Sequence, residues 1–342
     1  MGLMGKPSQS QKPKLRAGLD IGSTAVRVVE LADSSVKPTL KAWGLKKLDG
    51  TTKDMVAGAV KALVEEAKAI SKEFVISVSG PSTIVRFITM PRMKDEELKG
   101  AVRFEAEKFI PFNINECIVD FQVLKKDERE NKFEILLVAA KKAFIEDRIK
   151  VVERAGFSVS IVDVDSFALV NAFTKSLPSL DQEKTFAVVN IGSAVSNLSI
   201  VRGGLIRLVR DMAIGGNELH TAVSKSANID IGSDEAIKGL GPEKTQLVID
   251  CMRPVFTNLS DEMRLSLSYY ENQYGRAVDE VYLSGGDCML PGIEELFKET
   301  TGLKPVLWNP FQGIEPGGLF INKDLFEKTK GAFAVAIGLA LR

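Results

Sequence analysis

Two periodicities alternate along this chain. Short apolar runs at 14–19, 25–31, 73–80, 82–91, 121–124, 133–139, 185–189, 197–201 and 280–284 predict strands. The run "SVSIVDVD" at 158–165 predicts a buried strand feeding a helix from Ser166. Between these runs the period lengthens. Over 53–70, Val56, Val60, Leu63, Val64 and Ala67 share one stripe of a helix. Another helix opens on Asp95, Glu96 and Glu97, which suit its positive N-terminal end, carries Leu98, Val102, Ala106 and Phe109, and stops at Pro111. Further helices are expected over 142–155 with Gly156 as C-cap, from about 216, over about 250–273, after Pro291, and through the terminal "GAFAVAIGLALR". The charged "KKDEREN" and the Arg202-Gly203-Gly204 tract read as turns between strands. Strands alternating with helices make an α/β protein, with ligands expected where strand ends converge.

One strand pair is interrupted in an unusual way. "LDIGSTAVRVVEL" at 19–31 places an aspartate, a glycine and two hydroxyl residues between two apolar strands. A hairpin turn explains that alone. However, "VNIGS" at 189–193 repeats "LDIGS" at 19–23, again between two strands, at an offset of 190 − 20 = 170 residues. That offset is near half of the 342-residue chain, so each half opens with the same turn chemistry. The recurrence favours a duplicated lobe whose two turns face one phosphate chain.

Composition narrows the function. Lysine plus arginine and aspartate plus glutamate both number 45, so the chain has no electrostatic footprint for nucleic acid and no long-range attraction to anionic lipid. Cys117, Cys251 and Cys288 are isolated, which argues against a disulfide framework or zinc site and fits a reducing cytoplasm. His220 is the sole histidine, so Ser-His or Cys-His catalysis is not expected, and its bland role is a solvated or packed helix residue. No run reaches the ~18 apolar residues that span a bilayer, so direct membrane insertion is not expected. Residues 1–14 read as a flexible arm; Lys6 breaks the myristoylation pattern.

A nucleotide's phosphate tail needs close backbone approach, hydrogen-bond donors and metal ligation. Gly22 and Gly192 provide the approach, and Ser23, Thr24, Ser193 and Ser196 the donors. Asp20 can hold the water shell of Mg²⁺. Gly285 and Gly286, at a strand end before a helix, let an adenine lie against backbone, and Gly215 and Gly216 offer a second close approach.

Taken in order, "DIGST", "NIGSA", "IGGNEL" and "LSGGDCMLPGIEELF" resemble the phosphate-1, phosphate-2 and adenosine motifs of the actin-like ATPase superfamily. Within it, "ITMPRMKDEELKGAVRFEAEKFIPF", "DFQVL" and "AVAIGLALR" are similar to the PilM family, FtsA-related proteins of type IV pilus assembly, over nearly all of 15–342. The resemblance implies an actin-like ATPase fold: two duplicated lobes with an FtsA-type 1C subdomain. Lobe 1 (subdomain 1A) would comprise 15–90 and 158–183, subdomain 1C 91–157, lobe 2 (subdomain 2A) 184–216 and 242–342, and a small helical insertion (2B) 217–241. It implies ATP and Mg²⁺ as cofactors. By the same resemblance Asp20, Gly22, Ser23 and Thr24 form the first phosphate turn, Asn190, Gly192, Ser193 and Ser196 the second, Gly285 and Gly286 the adenosine turn, and Gly215 and Gly216 the opening of the insertion. Glu235 and Lys238 either reach the ribose or adenine or form a solvated pair. Asp165 either orients an attacking water as the tentative catalytic carboxylate or caps the following helix. Arg27 stands where many relatives have lysine and either serves the site or faces solvent.

One departure bears on activity. Asn190 stands where the superfamily's second turn begins with aspartate, and an amide brings no negative charge for Mg²⁺ or for activating a nucleophile. Nucleotide binding is expected to survive and hydrolysis to be slow or absent. The implied function is a cytoplasmic, ATP-bound scaffold, peripheral at the inner-membrane face. Its implied partners are a PilN-like cytoplasmic peptide, held in a groove beside 91–157, and other pilus inner-membrane and motor proteins. The alternatives are an active ATPase or sugar kinase, for which no sugar-site constellation is visible, and an FtsA-like filament former. FtsA carries a membrane helix after its core, and this chain stops at "IGLALR", so the scaffold is the expectation. Phe109, Ile110 and Phe112, around Pro111, belong either to a partner face or to the subdomain's own core.

Overall fold

A computed structural model describes residues 14–33, 37–177, 179–232, 237, 239–319 and 322–342. The arm expected at 1–14 lies outside the described residues except for Lys14. The chain opens with strands β1 (Leu15–Ile21), β2 (Ala25–Ala32) and β3 (Thr39–Lys47), helix α1 (Lys53–Glu66) and strand β4 (Glu73–Val78). An excursion follows: β5 (Thr83–Pro91), α2 (Asp95–Ala106), β6 (Cys117–Asp127) and β7 (Lys132–Lys141). The first half ends with α3 (Lys142–Arg154), β8 (Ser158–Val164) and α4 (Asp165–Ser176). The second half contains β9 (Thr185–Ile191), β10 (Ser196–Arg202), β11 (Leu205–Met212), α5 (Gly216–Ala227), α6 (Pro242–Tyr274) and β12 (Glu280–Ser284). It closes with α7 (Ile293–Thr301), β13 (Pro305–Leu307), α8 (Lys323–Thr329) and α9 (Ala334–Ala340).

Two five-stranded sheets carry the lobes. Their orders, β3-β2-β1-β4-β8 and β11-β10-β9-β12-β13, are the same arrangement written twice. The duplication reaches the register: Asp20 pairs with Arg27 across the first hairpin, and Asn190, 170 residues on, pairs with Asn197 across the second. A separate three-stranded sheet, β5-β7-β6, packs on α2 around Val102, Phe133 and Leu137.

Local sequence accounts for the helices, with some differences from expectation. Thr52 caps α1 by accepting from the Met55 amide, and the helix ends four residues before 70, with Lys68 left-handed after its C-cap. Helix α6 starts eight residues earlier than expected, because Pro242 serves as a first-turn residue, and it runs through Pro254 to a left-handed Gly275 cap. Val248, Met252, Phe256, Leu259 and Met263 hold that length against the second sheet. Strand β8 is not a buried strand but the edge of its sheet, and Ile161 is 44% exposed. The excursion also begins earlier than residue 91, since β5 pairs along its whole length with β7 and not with the large sheet. At its other end α3 packs through Val151 and Val152 on the first lobe's core, so the small sheet's unit closes near Lys141. Ile110 is buried in the small subdomain's core and Phe112 packs against it, whereas Phe109 is exposed.

The lobes share a helical layer. Leu169 and Phe173 of α4 and Ala336 and Ile337 of α9 lie between Val29 and Leu31 of the first sheet and Phe186 and Val188 of the second. The crossing of these helices is so close that a Cβ on Gly338 would overlap the Ala168 carbonyl oxygen. Alanine at a helix interior is ordinarily worth ~1 kcal/mol over glycine. Overpacking a core costs about 1–3 kcal/mol. The second effect wins here, so Gly338→Ala should lower the denaturation midpoint; a rise would mean that the helices do not cross at this glycine.

Candidate functional site

The two hairpin turns meet at one cleft. Gly22 and Gly192 occupy the same place in each: the position of a Cβ on either lies within 2.9 Å and 2.5 Å of the carbonyl oxygen three residues ahead, Ala25 and Val195 respectively. Any side chain would open both turns. Across the cleft the Thr24 and Ser193 hydroxyls touch at 2.6 Å. The cleft, of about 220 Å³, is lined by Asp20, Gly22, Ser23, Thr24, Asp165, Asn190, Gly192, Ser193, Gly285 and Gly286, among others. Ten residues picked out in sequence thus converge from four chain segments.

Others fall elsewhere. Ser196 is the correction: it is fully buried in the sheet with its hydroxyl unpartnered, because strand parity turns it away and hands the cleft to Asn197. Gly215 and Gly216 stand behind the second turn and brace it, the Gly216 amide donating to Gly192 O at 2.9 Å and the Asn217 amide to Ser193 O at 2.8 Å. Gly285, at φ +107, packs where a Cβ would overlap the Ile191 carbonyl. Glu235 and Lys238 lie outside the described residues. His220 is half-buried and its Nε2 pairs with Asp287 Oδ1 at 2.8 Å, just beyond the Gly285-Gly286 turn.

Register equivalence exposes an asymmetry in charge. In the first lobe Asp20 and Arg27 form an ion pair at 2.9 Å, with side chains only 13% and 12% exposed. Removing Arg27 would strand a largely buried carboxylate, a loss of about 3–5 kcal/mol. Arg27 therefore does not face solvent. The same two places in the second lobe hold Asn190 and Asn197, joined amide to amide at 3.2 Å. Asn197 then donates to Asp211 Oδ1 at 2.7 Å, and the other Asp211 oxygen accepts the Gly80 amide at 2.9 Å.

Asp165 is the first residue of α4 and not its cap, which is Val164. Its carboxylate lines the cleft, and its pKa is pushed up to about 6, by burial first and then by the Asp20 carboxylate, against the pull of the Ser77 and Ser79 hydroxyls. Sequence reading missed Ser77, Ser79, Asn197 and Arg148. Arg148 reaches in from α3 to donate to Ile21 O at 2.7 Å, a contact 127 residues apart with no local signature. Asn197 was open to register counting from Asn190. Among the described residues no three His, Cys, Asp or Glu side chains converge as a metal cage. Mg²⁺ does not require one, since it keeps its waters and takes one or two carboxylates beside phosphate oxygens. Asp20 alone meets that minimum, shared with Arg27.

No helix among the described residues is long and apolar enough to cross a membrane. The chain covers about half the length (48%) of the ethanolamine utilization protein EutJ of Escherichia coli K12, to which it is 28% identical over 152 residues, 44% of its own length. It is 22% identical to the cell division protein FtsA of Streptococcus pneumoniae over 349 aligned positions, covering 86% of this chain and 75% of that one. A solved PilM-PilN type IV pilus biogenesis complex contains a chain that superposes with a TM-score of 0.84 and 28% identity, over 96% of this chain and 98% of the other. The fold is the actin-like ATPase fold. The type IV pilus assembly protein PilM family matches residues 18–342, and the chain belongs to that family.

Proposed function

We propose that the protein is an ATP-binding scaffold of the type IV pilus machine, cytoplasmic and peripheral at the inner membrane, which holds the N-terminal peptide of a PilN-like membrane protein and links it to the assembly motor. The observation that carries the partner half is a groove of about 540 Å³ beside the small subdomain. One wall is the face of β6 and β7 turned away from α2, with Ile118 and Val138; the other is the outer edge of β8, with Ile161. Asp163, bonded in two places by Arg342, stands among its lining residues. A free strand edge and apolar walls suit an extended peptide. Lobes 1 and 2, the small subdomain between about 83 and 141, and a helical insertion after Gly216 are the subdomains of this reading.

The cleft supports the nucleotide half. Two hydroxyl-bearing glycine turns facing each other suit a phosphate chain between them, and Gly286, where an added Cβ would meet only the Arg27 guanidinium, leaves room for a base. When bound, Mg²⁺ supplies screening of phosphate charge and Lewis acidity. Asp20 would hold its water shell while Arg27 offsets the carboxylate. Asn190 offers only an amide at the matching place, so the second turn brings no carboxylate to Mg²⁺ or to an attacking water, and Asp165 is left as the carboxylate beside Asp20.

Three outcomes test this. Calorimetry with a peptide from the N-terminus of the neighbouring pilus membrane protein should give saturable binding, and Ile161→Asp should weaken it at least ~tenfold by placing a charge on the groove's apolar wall; undiminished binding would move the groove elsewhere. The unmodified protein should bind ATP with Mg²⁺ yet hydrolyse it near background in a steady-state assay. Brisk turnover that Asn190→Asp leaves unchanged would contradict the scaffold. Finally, Asp165 has a folded-state pKa raised above its ordinary value of 3.8, so it holds its proton more tightly when folded. Its stabilising contribution is complete below about 3.8 and is lost as pH rises through about 6. Asp165→Asn should flatten the fall in unfolding free energy over that window, measured by denaturant titration at several pH values; an unaltered slope would place the carboxylate in water.

A further inference from the structure

Among the described residues the three-stranded sheet has two unpaired edges, β6 and β5. The first lines the groove just described. The second lies beside the free edge of the second lobe's sheet, β11, and along it opens another groove, of about 370 Å³. Arg86 comes from β5, Arg207 and Arg210 from β11, and Glu262, Leu265 and Tyr269 from α6. Three cations thus face one carboxylate. Arg207 is only loosely engaged, with Glu134 at 3.9 Å. Arg86 folds back onto the Val85 carbonyl of its own strand at 2.9 Å, as a side chain does where an edge carbonyl has no neighbouring strand. Leu265 and Tyr269, one helical turn apart, are 73% and 60% exposed. Two large side chains on one wall of a groove differ from the scattered apolar exposure of any surface.

We propose that this groove receives an extended acidic segment of a protein partner, with carboxylates alternating with branched apolar side chains. The extended form follows from the shape of the site, a groove that runs lengthwise along two strand edges and favours a chain laid over them. Carboxylates answer Arg86, Arg207 and Arg210, and apolar side chains answer Leu265 and Tyr269. A nucleic acid strand is disfavoured because the cations form one short cluster interrupted by Glu262 and Leu265, not a track. The site does not overlap the β6–β8 groove, so a partner here can bind together with a peptide there.

The probe is a fluorescein-labelled peptide, Ser-Asp-Ile-Glu-Val-Asp-Leu-Ser, with a counterpart in which lysine replaces each acidic residue, titrated by fluorescence polarisation against the full chain. The acidic peptide should bind and the lysine peptide should not. The double variant Arg86→Glu, Arg210→Glu should weaken binding about tenfold or more. Leu265→Ser, which leaves every charge in place, should also weaken it. All three positions are exposed, so melting temperatures should be unchanged, and binding of the membrane-protein peptide at the other groove should persist in both variants. Absence of binding by the acidic peptide, equal binding by the lysine peptide, indifference to both variants, or displacement by a single-stranded oligonucleotide would each overturn the assignment.

Discussion

The cleft depends on one contact between small residues: Gly338 of α9 against the backbone of Ala168 in α4. These helices are the shared layer on which both large sheets pack. Their separation therefore sets how far apart the sheets stand, and so where each sheet presents its first hairpin. With the helices in backbone contact, Thr24 and Ser193 meet tip to tip. A larger residue at the crossing would part the sheets at their root, and the hairpins at the far end would part with them. The burial of every residue of α9 fits this role, since a helix apolar all round belongs inside a protein and not on its face.

Duplication with divergence is what the two hairpins display. The backbone is copied down to residue pairing, so the differences are confined to side chains at matched places. Asp20 and Arg27 keep a charge pair that neutralises itself. Asn190 and Asn197 hold the same geometry with no net charge and extend it to Asp211. One half thereby holds its hairpin by an ion pair, the other by an amide network. An amide network that satisfies itself internally resists rearrangement, because each partner lost leaves a buried polar group unpaired.

The strength of the sequence signal depended on how local its cause was. The two glycine turns were legible because a turn needing close backbone approach admits few residue types, and the 170-residue offset confirmed the pairing by repetition. Strand parity was less visible. Ser196 and Asn197 are adjacent and both polar, and only the register from the turn decides that the second faces the cleft. Arg148 left no trace, because its position in the site follows from how α3 packs on the first lobe. Strands β5 and β8 were recognised as strands but misjudged in setting. The apolar content of β8 reads as deep burial, yet it lines the wall of a groove, and the pairing that assigns β5 to the small sheet is made with β7 nearly fifty residues later.

The small sheet is where the lobes can influence each other. It enters the fold at Gly80, whose amide is held by Asp211, and Asp211 is held in turn by Asn197 and Asn190 beside the second turn. Arg148, leaving the same subdomain on α3, holds the backbone of the first turn at Ile21. Each glycine turn is therefore tied to one stem of the excursion, and the excursion lines one wall of each groove. A relative movement of the turns cannot leave both stems in place, because either tie would stretch beyond hydrogen-bonding distance and leave a part-buried polar group unpaired. That linkage runs in both directions: whatever fixes the small sheet from a groove also biases the spacing of the turns, by no more than its own difference in affinity for the two arrangements.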